Sequence, residues 1–377
     1  MPDVYPLTGA VRDYPWGSPT AIPELIGVEP TGRPVAELWL GAHADDSARI
    51  AGTDTSLLDL IGDDPARLLG SAVLEEFGPR LPFLLKVLAA EHALSIQVHP
   101  NLAQAEAGFA AEDARGVPRD APERNYRDPN HKPELLCALT EFDALCGFRP
   151  IADTLRLLAE LPAAPLAPIA ALLAGPDGLR AAFTAVLALD AAAVEAVVAG
   201  ATGLTGEWAP VGAAIAAVAA DYPGDVGLVL MLLLNLVRLR PGEAIYLGAG
   251  NVHAYLRGTG VEIMANSDNV LRCGLTPKHV DVPELLRITE FAELPDPRWP
   301  AVAGSFAVPV PDFRLTRLEV DEPTGLDDPG PSIVLCTGGE VRVGTSALTP
   351  GHAAFVLPGT PVTLEGAGTV FVAGVGT

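Results

Sequence analysis

Apolar and polar positions alternate over short stretches in the first 150 residues and again after about residue 240, with Pro, Gly and Asp clusters between them. Alternation with period two marks a β-strand with one buried face. The clearest case is ALSIQVHPN, residues 93–101: Leu94, Ile96 and Val98 point one way, and Ser95, Gln97 and His99 the other. In GVEIMANS, from Gly260, the residues Glu262, Met264 and Asn266 alternate with Val261, Ile263 and Ala265. Between about 151 and 238 the texture changes. DTLRLLAEL, GLRAAFTAVLALDAAAVEAVVAG and VGAAIAAVAADY carry Ala and Leu at helical spacing, and LVLMLLLNLVRL reads as a further buried helix. The pattern predicts a mainly β chain with an α-helical domain inserted. Strands fill 1–150 and 239–293, helices 151–238, and a second β region 294–377, with the Pro-rich LPDPRWP (294–300) as linker.

The β texture repeats weakly. PGEAIYLGAGNVHAYLRG, from Pro241, aligns without a gap on PGHAAFVLPGTPVTLEG, from Pro350. The matches are Pro241/Pro350, Gly242/Gly351, Ala244/Ala353, Tyr246/Phe355, Leu247/Val356 and Gly250/Gly359. A duplicated β-barrel is one explanation; chance recurrence of P-G-x-A in a Gly/Pro-rich chain is the other. His253 falls opposite Val362, so a metal site using His253 would exist only in the first copy.

Composition narrows the function. The chain has 377 residues, 49% hydrophobic, with 24 basic and 47 acidic side chains and a net charge of −23. Such a chain folds around a large core and divides into two or three domains. Its field repels phosphate backbones and acidic lipid surfaces, so neither nucleic acid nor membrane is expected as a partner. An anionic substrate would need a local basic pocket. The start, MPDVYPLTGAVRDYPWG, has no basic segment followed by an apolar stretch, and the runs at 213–220 and 228–234 are too short to span a bilayer. Cys137, Cys146, Cys273 and Cys336 form no C-x-x-C and read as reduced, buried thiols of a cytoplasmic protein.

Three segments carry candidate chemistry. Gln97 and His99 share a strand face, Lys132 and Glu134 share a face in NHKPELLCAL, and His253 and Tyr255 share a face in GAGNVHAYL. Each alone is ordinary, since a single histidine at a strand end is more often hydrogen-bonded than ligating. Together, Gln97, His99, Glu134 and His253 make a two-imidazole, one-carboxylate, one-amide set suited to a divalent transition metal. With Zn²⁺ and one carboxylate the site keeps a net positive charge and can stabilise a developing oxyanion. The spacing is not that of a zinc finger, so the fold must bring the four together.

The lysines are informative because they are scarce. Only Lys86, Lys132 and Lys278 occur, against 21 arginines, and each lies beside one of the candidate metal segments. A lysine in an arginine-using chain is a candidate for a compact point charge or an amine of adjustable pKa. Arg272 and Lys278, in SDNVLRCGLTPK, form the best basic pocket for a phosphate; an ordinary solvated face is the competing reading of Glu262 and Arg272. No P-loop and no G-x-G-x-x-G after a strand is present, so nucleotide binding is not indicated.

YPWG at Tyr14, AELWLGAH, LPFLLKVL, SIQVHPN, NHKPE, GNVHAYL and SDNVLRCGLTPK, in that order, resemble the type I mannose-6-phosphate isomerases (phosphomannose isomerases). The resemblance covers most of residues 1–290 apart from the helical block, and is weak in that block and at the C-terminus. It implies a cupin-type double-stranded β-helix barrel with a helical insertion and a second, degenerate barrel. It further implies one Zn²⁺ per chain on Gln97, His99, Glu134 and His253, and Arg272 as the active-site arginine. The implied reaction interconverts mannose 6-phosphate and fructose 6-phosphate through an enediol(ate). Under that reading Glu262 is the candidate base, with Lys132 as its rival. Arg272 stabilises the enediolate or holds the phosphate, and Ser95, Lys86 and Lys278 are the substrate-binding candidates. The expected partner is a small sugar phosphate, and the chain is expected to act as a monomer. A zinc cupin isomerase of another sugar phosphate and a non-enzymatic sugar-binding cupin are the alternatives.

Overall fold

The computed structural model describes residues 2–376. Two large sheets, of eleven and nine strands, make up the β part. The organising strand of the first is His253–Ala265. Its C-terminal half pairs antiparallel with Phe83–Ala90 on one side and Glu134–Ala138 on the other. Its N-terminal half pairs with Ile96–Val98 and Phe142–Phe148. One continuous strand thus serves both walls of the barrel. The corner falls at Gly258, where φ is +129° and a Cβ would lie 2.6 Å from the carbonyl oxygen of Glu141. Only glycine tolerates that turn without strain.

Alternation decides what each wall faces. Leu85, Val87, Leu135, Cys137, Val261 and Ile263 join Phe313 and, from the second sheet, Leu335, Phe355 and Phe371 in one hydrophobic cluster. The outer face of the first barrel and the second barrel therefore share a core. The intervening positions face inward: Leu88, Leu136, Ala144 and Tyr255 fill the barrel, and Lys86 and Glu262 meet there.

The internal repeat is real at the level of structure. Ala244–Leu247 followed by His253–Ala265 is matched by Ala353–Val356 followed by Val362–Gly374. The paired glycines share positive φ, +88° and +81° at Gly242 and Gly351, +78° and +62° at Gly250 and Gly359. Val362 opens its strand as His253 opens its own. Among the described residues, neither cluster of possible metal-ligating side chains falls in the second barrel. Two short pieces of the N-terminal range, Val4–Thr8 and Arg49–Ile50, belong to the second sheet, where Val4–Thr8 pairs with Ala353–Val356. The Pro-rich 294–300 stretch is more than a linker, because Arg298–Trp299 pairs with Ala244–Leu247.

Helices Ile151–Ala159, Leu166–Leu173, Gly178–Leu187, Ala191–Ala201 and Ala209–Asp221 form the insertion. They cover the outer side of Ile96, Val98, Phe148, Leu271 and Cys273. LVLMLLLNLVRL departs from its helical reading: only Gly227–Leu230 is helical, and Leu234–Leu239 is a strand paired with Phe142–Phe148. A continuous apolar run does not distinguish a buried strand from a buried helix, and here the open edge of Phe142–Phe148 decides. The N-terminal region also holds helices that its texture did not suggest. Asp64 caps Pro65–Phe77, and an Asn101/Gln104 capping box opens Leu102–Ala114. The latter buries only Ala105 and Glu112, too little for a periodic apolar signal. No single helix among the described residues is long and apolar enough to cross a membrane.

Candidate metal centre and active site

The strand Ile96–Val98 lies between His253–Ala265 and Leu271–Gly274, and its register sets Gln97 beside His253 on one side and Arg272 on the other. Glu134 opens its strand opposite Met264. His99 follows the end of its strand and meets the turn that leads into His253. There the Gly250 N–H donates to the His99 carbonyl at 2.9 Å. Gly250 has φ of +78°, and a Cβ would come within 2.9 Å of Glu290 Cβ, so this approach requires glycine.

His99, Glu134 and His253 are buried, with one ligand atom of each inside a mutual 4.8 Å. His99 Nε2 lies 3.5 Å from Glu134 Oε1, His253 Nε2 3.4 Å from Glu134 Oε2, and the Gln97 amide 3.4 Å from His253 Nε2. Both imidazoles bond backbone carbonyls through Nδ1, His99 to Asn269 at 2.7 Å and His253 to Asn251 at 2.9 Å. Donating from Nδ1 fixes the ring and presents the Nε2 lone pair inward. His99 Nε2 and Glu134 Oε2 are buried with no hydrogen-bond partner. Orphaned buried polar atoms call for an explanation, and a cation seated between them supplies one. Burial pushes the His99 imidazole down to about 4, against the opposing pull of Glu134. Burial alone would raise Glu134, but Lys132, whose Nζ is 2.9 Å away, and the imidazoles hold it well below the usual carboxylate range. A deprotonated imidazole and an ionised carboxylate are the states a metal binds. Two imidazole nitrogens, one carboxylate and one amide form a donor set that fits Zn²⁺.

A second buried group adjoins the first. Lys86 and Glu262 face each other across paired strands, with Nζ 3.4 Å from Oε2. Lys86 Nζ is also 3.5 Å from Glu37 Oε1 and 5.0 Å from the centre of the Trp39 ring. Trp39 Nε1 donates to Glu37 Oε2 at 2.7 Å, and the Tyr255 hydroxyl donates to Glu262 Oε1 at 2.8 Å. Burial raises the Glu262 pKa; Lys86 opposes this, and Glu134 and Glu37 add to it. For Lys86 burial acts downward, but Glu37 and Glu262 outweigh it and the pKa is raised. Lys86 is thus committed to two carboxylates, a different placement from a cation waiting for phosphate.

The cations gather elsewhere. Burial and Arg127 lower the pKa of Arg272, and Arg272, burial and Arg127 lower that of Lys278. Among the described residues none of the three has a carboxylate within 4 Å, so their mutual repulsion is unbalanced and favours an anion. Arg127 escaped the sequence reading because one arginine among 21 carries no signal; its N–H is held by the Asn269 side chain at 2.7 Å. Glu37, inside AELWLGAH, was missed for a related reason: a lone Glu in a strand shows no partner until the register does. Ser95 is half-buried immediately before the Gln97 strand. All four cysteines are buried and unpaired, and burial pushes Cys146, which neighbours His253 in register, up to about 12.

A duplicated, cupin-type β-barrel with one buried nitrogen and oxygen metal set defines the class as a metal-binding cupin protein. Comparison with known proteins narrows it. The family model "Phosphomannose isomerase type I, catalytic domain" matches residues 4–151. The mannose-6-phosphate isomerase of Escherichia coli (strain K12) is 42% identical over 96% of this chain and 97% of its own, and that of Bos taurus is 35% identical over 84% and 82%. A mannose 6-phosphate isomerase structure bound with zinc and yttrium superimposes with TM-score 0.92 at 39% identity over the whole of both chains. The Salmonella typhimurium enzyme bound to its substrate fructose 6-phosphate and zinc gives 0.92 at 38%, again over both whole chains. The chain belongs to the type I phosphomannose isomerase family.

Proposed function

We propose that the chain is a zinc-dependent aldose–ketose isomerase that interconverts mannose 6-phosphate and fructose 6-phosphate. The observation that carries this reading is the juxtaposition of the His99–Glu134–His253 set, with His99 Nε2 and Glu134 Oε2 orphaned, the buried Lys86–Glu262 pair and a cluster of three cations without a carboxylate within 4 Å among the described residues. Gln97, His99, Glu134 and His253 would hold the metal. Bound there, zinc supplies a Lewis acid that polarises the substrate carbonyl and lowers the cost of charge on O1 and O2.

The protein's own groups do the rest. Glu262 removes the proton from C2 of the open-chain aldose and returns it to C1. Its raised pKa brings its basicity closer to working pH. Lys86, facing Oε2, steadies its charge, and the Tyr255 hydroxyl, donating to Oε1, fixes the orientation of the carboxylate. Lys132, in contact with Glu134, is the rival base. Arg272 stabilises the enediolate or, with Arg127 and Lys278, grips the phosphate, and Ser95 lies at the edge of the same wall. Chemistry is assigned to the barrel of 1–150 and 239–293, and support to the helices of 151–238 and the region 294–377. A cytoplasmic, monomeric enzyme of carbohydrate metabolism is consistent with four unpaired buried thiols and a sugar phosphate substrate.

The test is turnover of a panel of aldose phosphates by the zinc-loaded protein. Preference for mannose 6-phosphate supports the reading. Preference for another sugar phosphate moves it to a sister isomerase, and zinc binding with no solvent proton exchange into any sugar makes it a sensor.

A further inference from the structure

His131 turns away from the site that its neighbours build. Its Nε2 lies 2.8 Å from Asp312 Oδ2, while the next residue, Lys132, sets its Nζ 2.9 Å from Glu134 Oε1. The two consecutive side chains thus reach different partners, and one short segment addresses both barrels. Asp312 belongs to the second barrel, between Ser305–Phe306 and Arg314–Val320. It is 6% exposed, and among the described residues its carboxylate has no other hydrogen-bond or ion-pair partner. Its position is fixed by Phe313, fully buried in the core that the two barrels share. The segment is tied from the first barrel as well. The Asn130 carbonyl accepts from Ser267 Oγ at 3.2 Å and Asn269 Nδ2 at 2.8 Å, and the Pro133 carbonyl accepts from the Ala265 N–H at 3.0 Å. Those bonds hold the backbone at both ends, and the His131–Asp312 contact holds the middle.

We propose that Asp312 is a positioning residue. Through His131 the second barrel, which has no metal set of its own among the described residues, holds the limb that presents Lys132 and Glu134 to the metal and the substrate. A buried carboxylate with a single partner is costly to keep for stability alone, and this one is spent on the His131 side chain between two anchored ends. The inference rests on the isomerase reading for its kinetic readout and on the metal set for its other.

The test is a double-mutant cycle on full-length protein with two readouts, the zinc dissociation constant by chelator competition and kcat and KM for mannose 6-phosphate at saturating zinc. His131→Ala and Asp312→Ala are each expected to weaken zinc about tenfold and to lower kcat about tenfold, with KM changed less than about twofold. The double variant is expected to lose no more than either single one. Asp312→Asn keeps an oxygen to accept from the Nε2 proton and is expected to recover most of both. Losses that multiply, an Asp312→Ala protein with wild-type zinc affinity and kcat, or a change confined to thermal stability would overturn the proposal. If wild type does not turn over mannose 6-phosphate, the isomerase reading fails, and the zinc cycle still decides the role of Asp312.

Discussion

Lys86 and Glu262 occupy directly opposed positions on paired antiparallel strands, and their charged atoms meet at 3.4 Å inside the barrel. Such a pair gains from low dielectric only if its partners are well placed. Here they are: Glu37 and Trp39 hold the ammonium and Tyr255 holds the carboxylate. The pair therefore sets how basic Glu262 is. Glu262→Gln should lower kcat by about a thousandfold, within the range of a lost general base, and abolish solvent proton exchange at C2. Zinc should remain at one per chain. Exchange at a near wild-type rate in this variant would assign the proton transfer to another group, Lys132 first.

The pH profile follows from the same geometry. Glu262 must be ionised to take a proton, and burial raises its pKa. Activity should therefore rise with pH through a limb lying above the ordinary glutamate value of about 4.3. Lys86 favours the charged form, so Lys86→Met should move that limb to higher pH. A limb that stays put, or moves to lower pH, contradicts the assignment.

Among the described residues Arg127, with Arg272 and Lys278, has no carboxylate within 4 Å to balance it. Arg127→Gln should raise KM for mannose 6-phosphate about tenfold with a smaller change in kcat, the mark of lost uniform binding. It should also weaken competitive inhibition by inorganic phosphate. A fall in kcat with KM unchanged would place Arg127 outside the phosphate grip.

The convergence of Gln97, His99, Glu134 and His253 was legible in the sequence because strand alternation puts candidate ligands on one face within each segment, and the order of the motifs joins the segments. The duplicated barrel was legible in Gly242/Gly351 and Gly250/Gly359, whose positive φ only glycine adopts cheaply. What lay hidden depends on register between distant strands. Nothing in LPFLLKVL says that Lys86 meets Glu262, and nothing in the C-terminal sequence says that Asp312 meets His131. The strand Leu234–Leu239 was hidden for a different reason: an unbroken apolar run has no period to read, and its structure is set by the neighbour it pairs with.

Removing a ligand should remove the metal. His253→Ala deletes one of the two imidazoles of the metal set, and its zinc content after dialysis should fall well below one per chain, with activity falling in proportion. Full zinc occupancy in this variant would mean that the metal sits elsewhere.

The central claim is that isomerisation depends on a metal held between His99, Glu134 and His253. The most direct measurement is conversion of mannose 6-phosphate to fructose 6-phosphate before chelation, after chelation with zinc content verified near zero, and after zinc is restored. The account predicts activity, its loss, and its return at one zinc per chain. Undiminished activity in protein verified to be free of metal would contradict it.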